Sequence, residues 1–197
     1  MARPREFEPD DAIEKAMQVF WAHGYEGASL PALLDGMGLT RGSLYKAFKD
    51  KRNLFLLVLD RYEAAVVDGA VEFLESPEIN DGKQRILMLF ESVVRAVADA
   101  DYRGCLLCTA ATGDAVDDPK IARSVQKGMT KMQAGFRKAL EDERSFDRLE
   151  PETNHRLANL LLTQYIGLRV LARSRLPLGV LDQSVQGLDD VLTAAAK

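Results

Sequence analysis

Two short stretches of this 197-residue chain group side chains whose types and spacing could do chemistry. In the first, Arg41, Lys46, Lys49, Lys51 and Arg52 stand against a single acid, Asp50, with Tyr45 among them. Cations interleaved with a phenol are suited to neutralising phosphate oxygens and donating hydrogen bonds to them. In the second, Arg103-Gly104-Cys105-Leu106-Leu107-Cys108 places two thiols three positions apart beside a cation. A helix N-terminus and a neighbouring guanidinium each lower a thiol's pKa and so favour the reactive thiolate. The same pair is a poor start for zinc, because only His23 and His155 could complete the ligand set. A thioredoxin-type redox enzyme would need a βαβ context that the sequence lacks. With no catalytic pair, phosphate loop or metal set, the sequence points away from an enzyme and from any cofactor.

The elements that must position these groups are helices. Ile13, Ala16, Met17 and Phe20 follow i, i+3, i+4, i+7 spacing, with Gly24 where a C-terminal cap belongs. Leu30, Leu33, Leu34 and Met37 repeat the pattern after Ser29, a good N-cap, and Thr40 then caps a third short helix. Met37-Gly38-Leu39 makes the tight turn that a helix-turn-helix needs. At 100° per residue, Leu44 and Phe48 face inward, so Gly42, Tyr45, Lys46 and Lys49 face outward. Arg41 projects from the helix start, where recognition helices touch base edges and where arginine pairs with guanine. Arg3 and Arg5 lie on an N-terminal arm able to reach a minor groove. The pattern by itself also fits an ordinary helical hairpin with a solvated basic face.

Downstream, a long helix is predicted from near Asp50 to about Ser76. Others follow over Asp81 to Ala100, about Gly104 to Ala115, Pro119 to about Arg144, from Pro151 onward, and about Leu181 to Ala195. Asp118-Pro119 and Glu150-Pro151 each read as an N-cap followed by proline at the first helical position. Strand alternation and hairpin dipeptides are nearly absent, so the fold class is all-α, with roughly eight to nine helices. Net charge is −4, which excludes a general polycation and leaves a local basic patch on an acidic body. No apolar run nears bilayer length, the N-terminus lacks a secretory pattern, and two cysteines are too few for a disulfide framework. A reducing cytoplasm is the expected compartment.

Residues from about Asp11 to Phe55 resemble the DNA-binding domain of the tetracycline-repressor (TetR) family. The resemblance is carried by Ala16-Met17-Gln18-Val19-Phe20, His23-Gly24-Tyr25, Ala28-Ser29-Leu30 and Leu39-Thr40-Arg41-Gly42-Ser43-Leu44-Tyr45-Lys46-Ala47-Phe48, with Lys51. It implies an all-α chain in two parts: a helix-turn-helix DNA-binding domain over 1–50, and an effector-binding and dimerisation domain over 51–197. It implies a homodimeric repressor bound to double-stranded operator DNA and released by an effector. By position, Ser29, Thr40 and Lys51 would meet phosphate, Arg41 and Ser43 would face base edges, and Tyr45 and Lys46 would hold the backbone, with Gly42 on the same face. Pro31 inside the second helix and the small Ala47 depart from the family's usual residues.

The resemblance also implies an effector pocket among the C-terminal helices, for which Tyr62, Phe90, Gln133, Phe136 and Tyr165 are candidates. The last two helices would form the dimer, with Gly167 permitting close approach. The segment around Cys105 resembles the N-ethylmaleimide-responsive repressor group, which makes Cys105 a candidate sensing thiol and Cys108 an additional group. An effector would be either a small molecule or an electrophile. The alternative for Cys105 is a small buried hydrophobe. The alternative for the whole chain is a helical protein-interaction module whose basic helix meets an acidic partner.

Overall fold

The computed structural model describes residues 7–142, 146 and 150–196. Arg3 and Arg5 of the N-terminal arm lie outside the described residues. Every regular element among the described residues is helical. They are α1 (Pro9–Gly27), α2 (Leu30–Met37), α3 (Arg41–Phe48), α4 (Lys51–Tyr62), α5 (Asp68–Leu74), α6 (Gly82–Ala98), α7 (Leu106–Thr112), α8 (Pro119–Glu141), α9 (Pro151–Arg173) and α10 (Leu178–Ala195). The predicted rod from Asp50 to Ser76 is present with one irregularity. A π-helical stretch, Glu63–Val67, joins α4 to α5 and holds the buried Glu63.

The chain forms two compact units. The first contains residues 1–65 and 106–126, so α1 to α4 pack together with α7 and the start of α8. Phe20, Leu33, Leu44, Leu54 and Phe55 are wholly buried in it, and each such side chain stabilises the fold by roughly 1.5–3 kcal/mol. Phe55 lies 4.8 Å from Phe20 and 4.9 Å from Tyr25, ring centre to ring centre. Gly24 breaks α1 at φ 72°, ψ 175°, a conformation costly for any residue with a Cβ, and one more turn runs on to Gly27.

The second unit holds residues 66–105 and 127–197, built on α5, α6, α9, α10 and most of α8. Ile86, Phe90, Phe136, Leu140, Leu161, Leu181 and Leu192 line its interior. Arg85, only 2% exposed, is held by Asp142 at 3.0 Å and donates to the Ser76 carbonyl, so its charge is compensated within the packing. At the start of α6, a Cβ on Gly82 would lie 1.8 Å from the Ala139 carbonyl oxygen. That distance permits only glycine there.

Two helix ends differ from expectation for local reasons. The segment predicted to be helical to Ala115 stops at Thr112, and a 3-10 turn, Asp114–Asp117, follows. The Glu26 carboxylate occupies the space there: it accepts from the Ala115 N–H at 2.8 Å and would stand 2.7 Å from a Cβ on Gly113. The last helix begins at Leu178 rather than Leu181, because Pro177, at φ −52°, sits ready as its N-cap. Its carbonyl accepts from the Val180 N–H at 2.9 Å.

Candidate nucleic-acid interface

The helix-turn-helix is built by three side-chain caps and one left-handed glycine. Ser29 accepts from the Ala32 N–H at 3.2 Å, Thr40 from Ser43 at 3.2 Å, and Asp50 from Asn53 at 2.7 Å. Each satisfies a donor that a helix start would otherwise leave unmatched. Gly38 turns the chain at φ 66°, ψ 32°, and the Leu39 N–H returns to the Leu34 carbonyl at 3.0 Å. A Cβ on Gly36 would sit 2.5 Å from Val19, so α2 lies close on α1 there.

On α3, Leu44 and Phe48 are buried while Arg41, Gly42, Tyr45 and Lys46 are exposed, as the helical geometry predicts, and Lys49, just past the helix end, is exposed too. Tyr45 is 40% exposed, a large fraction for a phenol with no task in the core. The Arg41 guanidinium rests 5.6 Å from its ring centre. A Cβ on Gly42 would meet nothing within 4 Å, so the glycine leaves the helix surface open toward solvent. The Ser43 and Thr40 hydroxyls lie 2.9 Å apart, engaged with each other at the cap.

The basic stretch divides at the start of α4. Lys51 is half-buried with its ammonium 4.6 Å from the Tyr25 ring centre, and burial pushes its pKa below the ordinary lysine value. Arg52 is matched by an acid: its guanidinium grips both carboxylate oxygens of Asp118, Nη2 at 2.9 Å from Oδ1. That pairing, with the backbone N–H of Lys120, holds the Asp118 carboxyl at about 2, well below its ordinary value. Asp118 therefore caps α8, as its place before Pro119 predicts, and also anchors Arg52. The cap was legible in the sequence. The partner, far off in the chain, was not.

The thiol segment lies at the start of α7. Cys105 is half-buried and Cys108 is buried, and neither takes part in a disulfide. Arg103 grips Asp101 with two bonds, at 2.9 and 2.7 Å, which also depresses the Asp101 carboxyl. Sequence reasoning missed two residues of α9. Arg169 Nη2 donates to the Gly104 carbonyl at 2.6 Å, and Arg173 Nη1 donates to the Arg103 carbonyl at 2.9 Å. Their i, i+4 spacing among the apolar residues of the last two turns of α9 was the available signal.

The pocket candidates are only partly brought together. Phe90, Phe136 and Tyr165 form a cluster in the second unit, with ring centres 5.3 to 6.0 Å apart. Gln133 is half-buried in the same unit. Tyr62 belongs to the first unit, packed edge-on against Trp21 at 5.0 Å. A cavity of about 350 Å³ touches Phe90 and is otherwise lined by α9 and α10, including Gln164, Leu168, Leu171, Ser184 and Leu188. Among the described residues, no cluster of three metal-ligating side chains occurs, and no helix is long and apolar enough to cross a membrane.

Two capped helices around a left-handed glycine, with an exposed basic face on the second, define a helix-turn-helix DNA-binding protein. Residues 12–58 match the model of the bacterial regulatory proteins of the tetR family. YezE of Bacillus subtilis, an uncharacterised HTH-type transcriptional regulator, is 31% identical over 69% of this chain and 70% of its own length. The transcriptional repressor ComR of Escherichia coli is 32% identical over 63% of this chain, a match spanning 59% of ComR. Among solved structures, the TetR-family regulator CifR is 30% identical, with a TM-score of 0.77 over 93% of this chain and 98% of CifR. The chain belongs to the tetR family and is a DNA-binding transcriptional regulator. Reduced NemR of E. coli, 22% identical, shares the fold with a TM-score of 0.78.

Proposed function

We propose that the protein is a homodimeric repressor that binds double-stranded operator DNA and is released by a small-molecule effector or by modification of Cys105. In this reading residues 1–50 bind DNA. Ser29, Thr40 and Lys51 meet phosphate, Arg41 and Ser43 face bases, Tyr45 and Lys46 hold the backbone, and Gly42 lets the helix come close. Residues 51–197 bind the effector and the second subunit. The observation that carries the reading is the outer face of α3, where Arg41, Tyr45 and Lys46 are exposed on a helix fixed by Thr40 and by buried Leu44 and Phe48. CifR was solved, as cysteine mutants, on 26-bp operator DNA, and ComR is described as a repressor; both support the assignment.

Homodimerisation is supported by apolar side chains left in water on the last two helices. Leu160, Val170, Leu178, Val180 and Val191 are each between 38 and 48% exposed. Gly167 lies on that surface with open space around it. Effector release follows from population shift: an effector that prefers a conformation unable to bind DNA lowers operator affinity by its differential affinity.

The test is a titration of reduced protein against the DNA flanking its own gene. Binding should be tight and salt-dependent. Lys46→Ala should reduce the slope of log K against log salt by about 1, while Arg41→Ala should relax preference at one base position. Operator binding left intact by both substitutions would remove the α3 assignment. An electrophile that releases wild type but not Cys105→Ser would support the thiol switch.

A further inference from the structure

Guanidinium groups from the end of α9 meet the loop that carries Cys105. Arg169 and Arg173 of α9 reach the carbonyls of Gly104 and Arg103, the two residues preceding the thiol. Gly104, at φ 70°, lets the loop lie against α9: a Cβ there would stand 3.1 Å from the Arg169 carbonyl oxygen and 3.2 Å from the Arg173 Cβ. Arg175 rests over the Tyr102 ring, 5.1 Å from its centre. Arg103 itself is held by Asp101. Three arginines thus border this loop and Arg103 lies within it, with Asp101 and the exposed Asp99 at its beginning. From Tyr165 to Arg175, α9 and its end contribute no acid. Cys105 itself is half-buried and directly follows the two carbonyls that these guanidiniums hold.

We propose that Cys105 selects thiol-reactive molecules that carry a negative charge, such as electrophilic or disulfide carboxylates, because the Arg169–Arg173–Arg175 edge of α9 concentrates them beside the thiol. The proposal rests on the reading of Cys105 as the sensing thiol and names the class of effector. A cleft lined by one sign of charge raises the local concentration and reaction rate of counter-ions by 10-fold to 1000-fold, an effect that salt removes. The arginines act by position and charge. The bond-making atom is Cys105 Sγ.

The experiment uses two aromatic disulfides on the Cys108→Ala protein, whose remaining thiol is Cys105. One is 5,5′-dithiobis(2-nitrobenzoate), a dianion, and the other is 4,4′-dithiodipyridine, which is neutral. In each case the Cys105 thiolate attacks one sulfur, a protein mixed disulfide forms, and the aryl thiolate leaves with the electron pair of the broken S–S bond. The protein sulfur is oxidised and the departing sulfur reduced. Both reagents need the same thiolate, so the ratio of their rates cancels the thiol's ionisation and reports the charge around it. The same protein unfolded in urea supplies the reference ratio.

At low salt the folded protein should favour the dianion at least about tenfold beyond the unfolded reference. The preference should fall toward that reference in 1 M NaCl and in Arg169→Gln or Arg173→Gln. Arg175→Gln, at an exposed position, should lower it in part and keeps the test valid if the α9 variants do not fold. A folded ratio equal to the unfolded one, or one indifferent to salt and to all three substitutions, overturns the proposal. Because these rates are read without DNA, their failure is distinct from failure of the sensor reading, which would appear as operator binding unaffected by a modified Cys105.

Discussion

The two compact units differ in the length of their helices and in how those helices are fixed. In the unit that carries the helix-turn-helix, α2, α3 and α4 are capped by Ser29, Thr40 and Asp50, each accepting a hydrogen bond from a backbone N–H three residues on. In the other unit the long helices α8, α9 and α10 meet through rings and branched apolar side chains, with the buried Arg85 and its half-buried partner Asp142 among them. Eight-residue helices such as α2 and α3 are too short to persist alone, so their ends must be specified and their inner faces buried. Helices of 18 to 23 residues have length enough that packing decides their position. The difference suits the tasks proposed for them. A surface that reads DNA needs fixed side-chain directions, whereas one that accepts an effector or a second subunit needs a broad apolar face.

The contrast is most easily broken in the second unit. Phe136 is wholly buried between Phe90 and Tyr165, and Phe136→Ala should cost about 4 kcal/mol in denaturant unfolding. A loss below about 1 kcal/mol would mean that this cluster does not hold the unit. In the first unit, Thr40→Ala removes a cap and should cost about 1 kcal/mol. It should also weaken DNA binding more than that loss of stability alone explains, because the same cap fixes the start of α3. Equal loss in stability and no loss in operator affinity would break the link between cap and function.

The smallest effect is one of pH. Asp118 is held at about 2 against an ordinary value of 3.8, chiefly by Arg52. A carboxylate depressed on folding stabilises the protein fully above its unfolded value and loses that contribution as the pH falls through its folded one. The Arg52–Asp118 pair should therefore contribute from about pH 4 upward and fade toward pH 2. Acid unfolding monitored by circular dichroism should start at higher pH in Asp118→Asn than in wild type, and the two curves should converge near pH 2. Curves that run parallel down to pH 2 would assign the pair no part in acid stability.

What the sequence made legible follows the same division. Ser29, Thr40, Gly38 and the 100° stepping of α3 are local signals, and the inward Leu44 and Phe48 and outward Tyr45 and Lys46 follow from them. Asp118-Pro119 gave the start of α8 for the same reason. The partners across space were not legible: Asp118 for Arg52, Glu26 for the Ala115 N–H, Arg169 for the Gly104 carbonyl. Each joins residues more than sixty positions apart, where no periodicity or cap reports proximity. Tyr62 shows the limit from the other side. It is as buried and aromatic as Phe90, yet it packs with Trp21 in the first unit, and composition gives no hint of that.

The glycines carry a last consequence, for how this chain tolerates change. At position 82 a methyl group would collide with the Ala139 carbonyl, so a library of all residues selected only for folding should return glycine. At Gly42 and Gly167 the same methyl would meet nothing inside the molecule, and such a library should return many residues. If selection for regulation in living cells restores glycine at 42 or 167, the constraint comes from outside the chain. Position 42 would then report the approach of DNA and position 167 that of a second subunit, each distinguished from internal packing by which selection enforces it.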